Sequence, residues 1–229
     1  MNKVSWSIFA GVVVLLLGAL IIYSQSTRTT IDVSAVDANA VIGASSQNGN
    51  IADHVFENTE SKVVLVEYGD FQCPGCGAAH PNMKTLLAEY GDRITFIFRN
   101  LPLTSIHPNA RVAASAAEAA GLQGKYWEMH DKLFESQDDW TSLDASKRIP
   151  MFSAYAKELG LDVTKFEQDI PSETINQRIS FDQALAKKVG ATSTPSFFLD
   201  GEPLESSAAT GILQGNLTAV KALLDEKLK

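Results

Sequence analysis

Hydrophobic and polar positions divide the chain into three zones. The first is apolar: Val4 to Tyr23 holds no charged side chain, and Val12 to Leu17 is uninterrupted Val and Leu. At about 1.5 Å of rise per helical residue, such a block covers the roughly 30 Å hydrocarbon core of a bilayer, which predicts one N-terminal transmembrane helix over residues 1–23. A signal cleaved near Ser24-Gln25-Ser26 and a buried core helix stay open as other readings. The second zone, residues 24–50, is rich in Ser, Thr, Ala, Asn and Gly and ends in Ser45-Ser46-Gln47-Asn48-Gly49-Asn50, the composition of a flexible linker.

From Ile51 the pattern is that of a folded domain. Val63-Val64-Leu65-Val66 is a continuous aliphatic run, as expected of a strand buried on both faces. Met83, Leu86, Leu87 and Tyr90 then repeat at helical spacing with Gly91 as a stop, and Ile94-Thr95-Phe96-Ile97-Phe98 reads as a second strand. Val63 to Phe98 is therefore a β-α-β unit with parallel strands. A helical block follows, about 107–190: Ala110 to Ala120, then Tyr126, Met129 and Leu133, then Phe152, Tyr155 and Leu159, then Ile175, Ile179 and Val189. Strand signals return at Ser196-Phe197-Phe198-Leu199, where Asp200-Gly201 predicts a hairpin into Pro203-Leu204. Leu217, Val220, Leu224 and Leu228 mark a closing helix. The order is β-α-β, helical insertion, β-β-α, in the α/β class, with residues 51–229 as one domain.

The net charge of −8 across 229 residues, with no clustered Lys or Arg, excludes a nucleic-acid surface, which needs cations to displace phosphate counterions. The chain holds two cysteines, and both fall in one tetrapeptide, Cys73-Pro74-Gly75-Cys76, between the first strand and its helix. A cysteine at a helix N-terminus is held as thiolate by free N–H groups and the positive end of the dipole. Cys73 is therefore the expected point of attack, and Cys76, one turn in, the resolving thiol. A structural zinc site at this pair lacks further ligands: His54, His80, His107 and His130 show no paired spacing. Haem attachment would need histidine at position 77, which is Gly. No metal and no cofactor is expected beyond the Cys73–Cys76 disulfide itself.

Val66-Glu67-Tyr68-Gly69-Asp70-Phe71-Gln72-Cys73-Pro74-Gly75-Cys76, the stretch His107 through His130, and Gly190-Ala191-Thr192-Ser193-Thr194-Pro195-Ser196-Phe197-Phe198 together resemble the DsbA-like thiol–disulfide oxidoreductases of the thioredoxin-fold superfamily, in their membrane-anchored bacterial form. The resemblance implies a thioredoxin fold in β-α-β and β-β-α halves around the helical insertion. It implies that Pro195 is a cis-proline beside the disulfide, that Thr194 offers backbone hydrogen bonds to a substrate peptide, and that Pro74 and Gly75 border the same groove. Glu67 matches a buried acid beneath the cysteines that relays protons to Cys76, although an ordinary strand-end charge is the other reading. Asp70 is expected to border the loop, His80 to be a packing or solvated side chain, and Tyr126, Trp127, Phe134 and Trp140 to be helical core.

By the same resemblance, the domain oxidises thiols of exported proteins on the extracytoplasmic side of the cell membrane, and a membrane redox partner, quinone-linked, reoxidises it. The Pro-Gly dipeptide carries no histidine, so a weaker oxidant than the most oxidising relatives is expected. Reductase or isomerase activity, and a non-catalytic peptide-binding or chaperone module, are the alternatives.

Overall fold

The computed structural model describes residues 9, 11–18, 31–57 and 60–229. The chain falls into two units, Met1–Asp32 and Val33–Lys229. In the first, residues 11–18 are helical. Among the described residues no helix is long and apolar enough to cross a membrane. The membrane segment expected over residues 1–23 lies largely outside them.

The second unit is built on a five-stranded sheet in the order β1-β3-β2-β4-β5. Its strands are β1 (His54–Phe56), β2 (Val64–Gly69), β3 (Thr95–Asn100), β4 (Ser196–Leu199) and β5 (Glu202–Pro203). The expected β-α-β unit is present: β2 and β3 run parallel, with Val64 opposite Thr95 and Glu67 opposite Phe98. β4 pairs antiparallel on the other side of β2, placing Glu67 opposite Phe197. The hairpin turn is Asp200-Gly201, both left-handed at φ 49° and 86°. That is the backbone a two-residue type I′ turn requires. β1, a three-residue edge strand antiparallel to β3, has too short an alternation to show in the sequence.

The helices are α1 (Pro74–Tyr90), α2 (Ala110–Gly121), α3 (Tyr126–Glu135), α4 (Gln137–Trp140), α5 (Ala145–Glu158), α6 (Val163–Asp169), α7 (Glu173–Val189), α8 (Ser206–Gln214) and α9 (Thr218–Lys227). α1 buries Cys76, Ala79, Met83, Leu86, Leu87 and Tyr90, a stripe at three- and four-residue steps, and packs on α8 and α3. α2 to α7 form the insertion. α4, α6 and α8 are additions to the sequence reading, and with α8 the second half of the fold is β-β-α-α. Tyr126, Phe134 and Trp140 are buried as expected, Trp140 completely.

The linker reading needs correction from Val33 onward. Val33, Ala38 and Asn48 are buried, and residues 33–50 lie along the domain. Besides these few side chains, much of the attachment runs through backbone carbonyls, which leave no apolar signal in the sequence. Arg99 donates to the carbonyls of Ala38 and Ala40 (2.5 and 3.0 Å), and Lys188 to those of Val33, Ser34 and Val36 (3.1, 2.9 and 2.5 Å).

Arg99 belongs to a charged cluster with no solvent exposure, also legible only in three dimensions. Arg99 and Arg178 both bind Asp53 (2.7 Å each), and Arg178 also pairs with Asp182 at 3.0 Å. Asn100 donates to Glu118 at 2.7 Å, and Glu118 in turn meets His54 at 2.8 Å. The two arginines hold the Asp53 carboxyl below its ordinary value against the opposing effect of burial, which is the larger single influence.

Candidate active site

β2 ends at Gly69 and α1 begins at Pro74, so Cys73 is the N-cap residue, in extended conformation at φ −71° and ψ 123°. Pro74 sits in the first helical turn, where its missing N–H leaves no hydrogen bond unmade. The two sulfurs meet opposite surroundings. The Cys73 thiol is brought down to about 5, first by the hydrogen bond from Cys76, with burial opposing, then by the Thr194 side chain and the N–H groups of Cys76 and Gly75. Cys76 is 1% exposed. Burial first, then its hydrogen bond to Cys73 and the nearby Glu67 carboxyl, push its thiol well above the ordinary value. At neutral pH this is a thiolate at Cys73 served by a protonated thiol at Cys76.

The Thr194–Pro195 peptide is cis. Cys73 Sγ lies 3.3 Å from the Thr194 carbonyl. That contact is a hydrogen bond only while the sulfur carries its proton, since a thiolate has none to donate. The Thr194 hydroxyl is buried without a hydrogen-bond partner among the described residues, and it is the side-chain group here that can donate to a thiolate at Cys73. A Cβ at Gly75 would stand 3.3 Å from Pro195 Cδ and 3.6 Å from Cys73 Sγ. Pro195 therefore closes over the dipeptide, and glycine at 75 fits the approach.

Glu67, on the central strand, is 4% exposed and its pKa is pushed up to about 8, by burial first and then by the Cys73 charge. It is a neutral acid at pH 7, close enough to Cys76 to influence that thiol.

A family model described as thioredoxin matches residues 49–216. The chain belongs to the thioredoxin family. Among curated proteins this thioredoxin-family chain is similar to the Na(+)/H(+) antiporter NhaA 1 of Salinispora arenicola, 39% identical over 170 residues that make up 74% of the chain and 25% of the antiporter. It is also similar to the Na(+)/H(+) antiporter NhaA 3 of Salinispora tropica, 40% identical over 149 residues, 65% of the chain and 22% of that protein. The chain thus spans about a quarter of the length of these curated relatives.

Among solved structures, a thioredoxin-like oxidoreductase from Silicibacter pomeroyi is 26% identical with a TM-score of 0.56, over 71% of this chain and 90% of that one. BdbD from Bacillus subtilis shares the fold with a TM-score of 0.63 at 22% identity, over 82% of this chain and 98% of that one. The thiol-disulfide exchange protein α-DsbA2 from Wolbachia pipientis also reaches 0.63, at 21% identity over 76% and 87%. The fold is the DsbA-like form of the thioredoxin fold, with its helical insertion.

The turn that presents Cys73 in this thioredoxin-family site is held by side chains that sequence reasoning did not single out. Gln137 of the insertion donates to the carbonyls of Phe71 (2.8 Å) and Cys73 (3.0 Å). Gln72 bridges Asn109 N (2.6 Å) and the Thr141 carbonyl (2.8 Å). Asp70 is fully enclosed and does more than border the loop: it accepts from Leu103 N at 2.9 Å and meets His107 Nδ1 at 2.7 Å. The motif spacing points to Asp70, but nothing local marks Gln137, which reaches the turn from 64 positions away. His80 is buried and paired to Asp131 at 3.0 Å, so the solvated reading of it is corrected.

Proposed function

We propose that this chain is a thiol–disulfide oxidoreductase that oxidises dithiols of exported proteins. The opposite environments of its two sulfurs at one helix terminus carry the proposal. A substrate thiolate attacks Cys73 Sγ of the disulfide, the Cys73–Cys76 bond breaks, and Cys76 departs with the bonding pair. Its high proton affinity means that Cys76 must take a proton as it leaves, and Glu67, neutral at pH 7, is the adjacent donor. The second substrate thiolate then attacks the substrate sulfur of the mixed disulfide. Cys73 leaves as thiolate, the substrate gains a disulfide, and two electrons remain on the Cys73–Cys76 pair. Stabilising the Cys73 thiolate favours this reduced form and so makes the pair an oxidant.

Thr194 and Pro195 border the attacked sulfur and are assigned the extended substrate segment, with Pro74 and Gly75 as the facing wall. The apolar block Val4 to Tyr23 supports a membrane tether with the domain extracytoplasmic. A membrane redox partner, quinone-linked by family resemblance, reoxidises the pair. Antiporter activity is not carried over to this chain, because the likeness covers about a quarter of the antiporters.

The deciding experiment is capture. Cys76→Ala leaves Cys73 without its resolver, so mixed disulfides with exported proteins accumulate and can be identified by mass spectrometry, while Cys73→Ala captures nothing. Equal capture by both variants sinks the assignment of roles. For Glu67→Gln, stopped-flow mixing of the oxidised protein with a dithiol peptide is expected to show slower attack by about 100-fold, the low end of general acid catalysis. In the wild type this advantage declines as rising pH ionises Glu67, whose carboxyl is held above its ordinary value by burial. A Glu67→Gln protein with the wild-type rate and pH profile removes this carboxyl from the reaction.

A further inference from the structure

His80 on α1 and His130 and Asp131 on α3 are brought to one point by the packing of the two helices. His80 Nε2 lies 3.0 Å and His130 Nδ1 3.1 Å from the same oxygen, Asp131 Oδ1. The three potential ligand atoms all fall within 4.8 Å of one another. A tetrahedral zinc ion with ligands at about 2.0–2.2 Å sets its ligand atoms about 3.3–3.5 Å apart, so two of the three separations are within a few tenths of an ångström of that geometry. The geometry points to a binding site for a divalent cation of the zinc class, held by His80 Nε2, His130 Nδ1 and Asp131 Oδ1.

Four further features fit a metal centre. Two imidazoles and one carboxylate are a donor set suited to zinc-like ions, and three protein ligands leave a position for water. A cavity of about 260 Å³, lined by His80, His130, Asp131 and Glu67, supplies the room for it. The second Asp131 oxygen, Oδ2, is held by Lys84 at 2.9 Å, which orients the carboxylate from outside while leaving Oδ1 turned to the histidines. The His130 ring is also walled by Phe98, Trp127 and Phe134, at centroid distances of 4.7, 5.0 and 5.0 Å, a dry shell around the ligand.

The spacing argument that excluded zinc at Cys73 and Cys76 does not reach this cluster, because His80 and Asp131 are 51 positions apart. The site is one helical turn beyond Cys76, on the same helix, and an ion there ties α1 to α3. It rests on the fold alone and not on the proposed oxidase activity.

The test must keep the cysteine pair from ligating. The full chain carrying Cys73→Ser and Cys76→Ser is dialysed against Zn2+, and in parallel against Co2+ with absorption recorded. One ion per chain is expected, with Co2+ ligand-field bands in the visible and no thiolate charge-transfer band. Adding His130→Gln or His80→Gln, each checked for folding by circular dichroism, is expected to weaken binding by at least about 10-fold. Should either histidine variant fail to fold, the other carries the test, and Asp131→Asn gives a third. The site is overturned if the serine variant binds no more than a trace of either ion, or if its binding survives both histidine substitutions unchanged.

Discussion

Cys73→Ser is expected to abolish thiol–disulfide exchange at every pH, and to remove a titration that the reduced wild type shows near pH 5 in thiolate absorbance at 240 nm. Both effects have one cause: the N-cap sulfur is the only one the fold holds as thiolate. Its pKa in the folded chain, about 5, lies below its ordinary value of 9.0. Between those values the unfolded chain holds a proton that the native chain has given up. Cys73's contribution to the stability of the reduced protein therefore rises with pH across that window, is fully present above about 9 and is lost as pH falls through about 5, while Glu67, raised to about 8, contributes in the opposite sense. The oxidised protein has no thiol to titrate and lacks this dependence. Unfolding reduced and oxidised protein in urea at pH 4.5, 7 and 9 checks it: a reduced-minus-oxidised difference that stays flat with pH contradicts a thiolate at Cys73.

The second large effect is on stability. Arg178→Met is expected to cost about 3–5 kcal/mol, the range seen when one member of a buried ion pair is removed. Arg178 has no solvent exposure and faces Asp53 at 2.7 Å and Asp182 at 3.0 Å. Methionine fills much of the same volume, so the loss is one of charge compensation, leaving the enclosed carboxyls of Asp53, Glu118 and Asp182 with Arg99 as the remaining buried guanidinium of the cluster. Against a typical domain stability of about 5–15 kcal/mol, that leaves a marginal fold. Lys165→Met is the control: it breaks a half-exposed pair with Asp169, and a change within about 1 kcal/mol is expected. Urea denaturation of the oxidised proteins measures both, and equal, small losses for the two variants would show that the buried cluster does not support the fold.

The parts of this molecule that the sequence made legible are those written in local pattern. The aliphatic run at Val63 to Val66, the cysteines at the strand-to-helix turn, the stripe of α1 and the Asp200-Gly201 turn each depend on neighbours within a few positions, and the folded chain has all of them. Thr194–Pro195 is placed by resemblance, not by pattern, and it is cis beside Cys73. What stayed hidden depends on pairing across the chain. Residues 33–50 look like a linker because their attachment uses backbone carbonyls, which every sequence has, and the partners, Arg99 and Lys188, lie far away. Gln137, which holds the active-site turn, and the His80–His130–Asp131 cluster are hidden for the same reason. Polar contacts at long sequence separation leave no periodicity to read.

The central claim is that a thiolate stabilised at Cys73 makes the Cys73–Cys76 pair an oxidant, and its reduction potential tests this most directly. Equilibration of the purified protein with glutathione buffers is expected to give a value above about −200 mV, on the oxidising side of the protein disulfide carriers. A value near about −270 mV, that of thioredoxin, would contradict the account and make the protein a reductase.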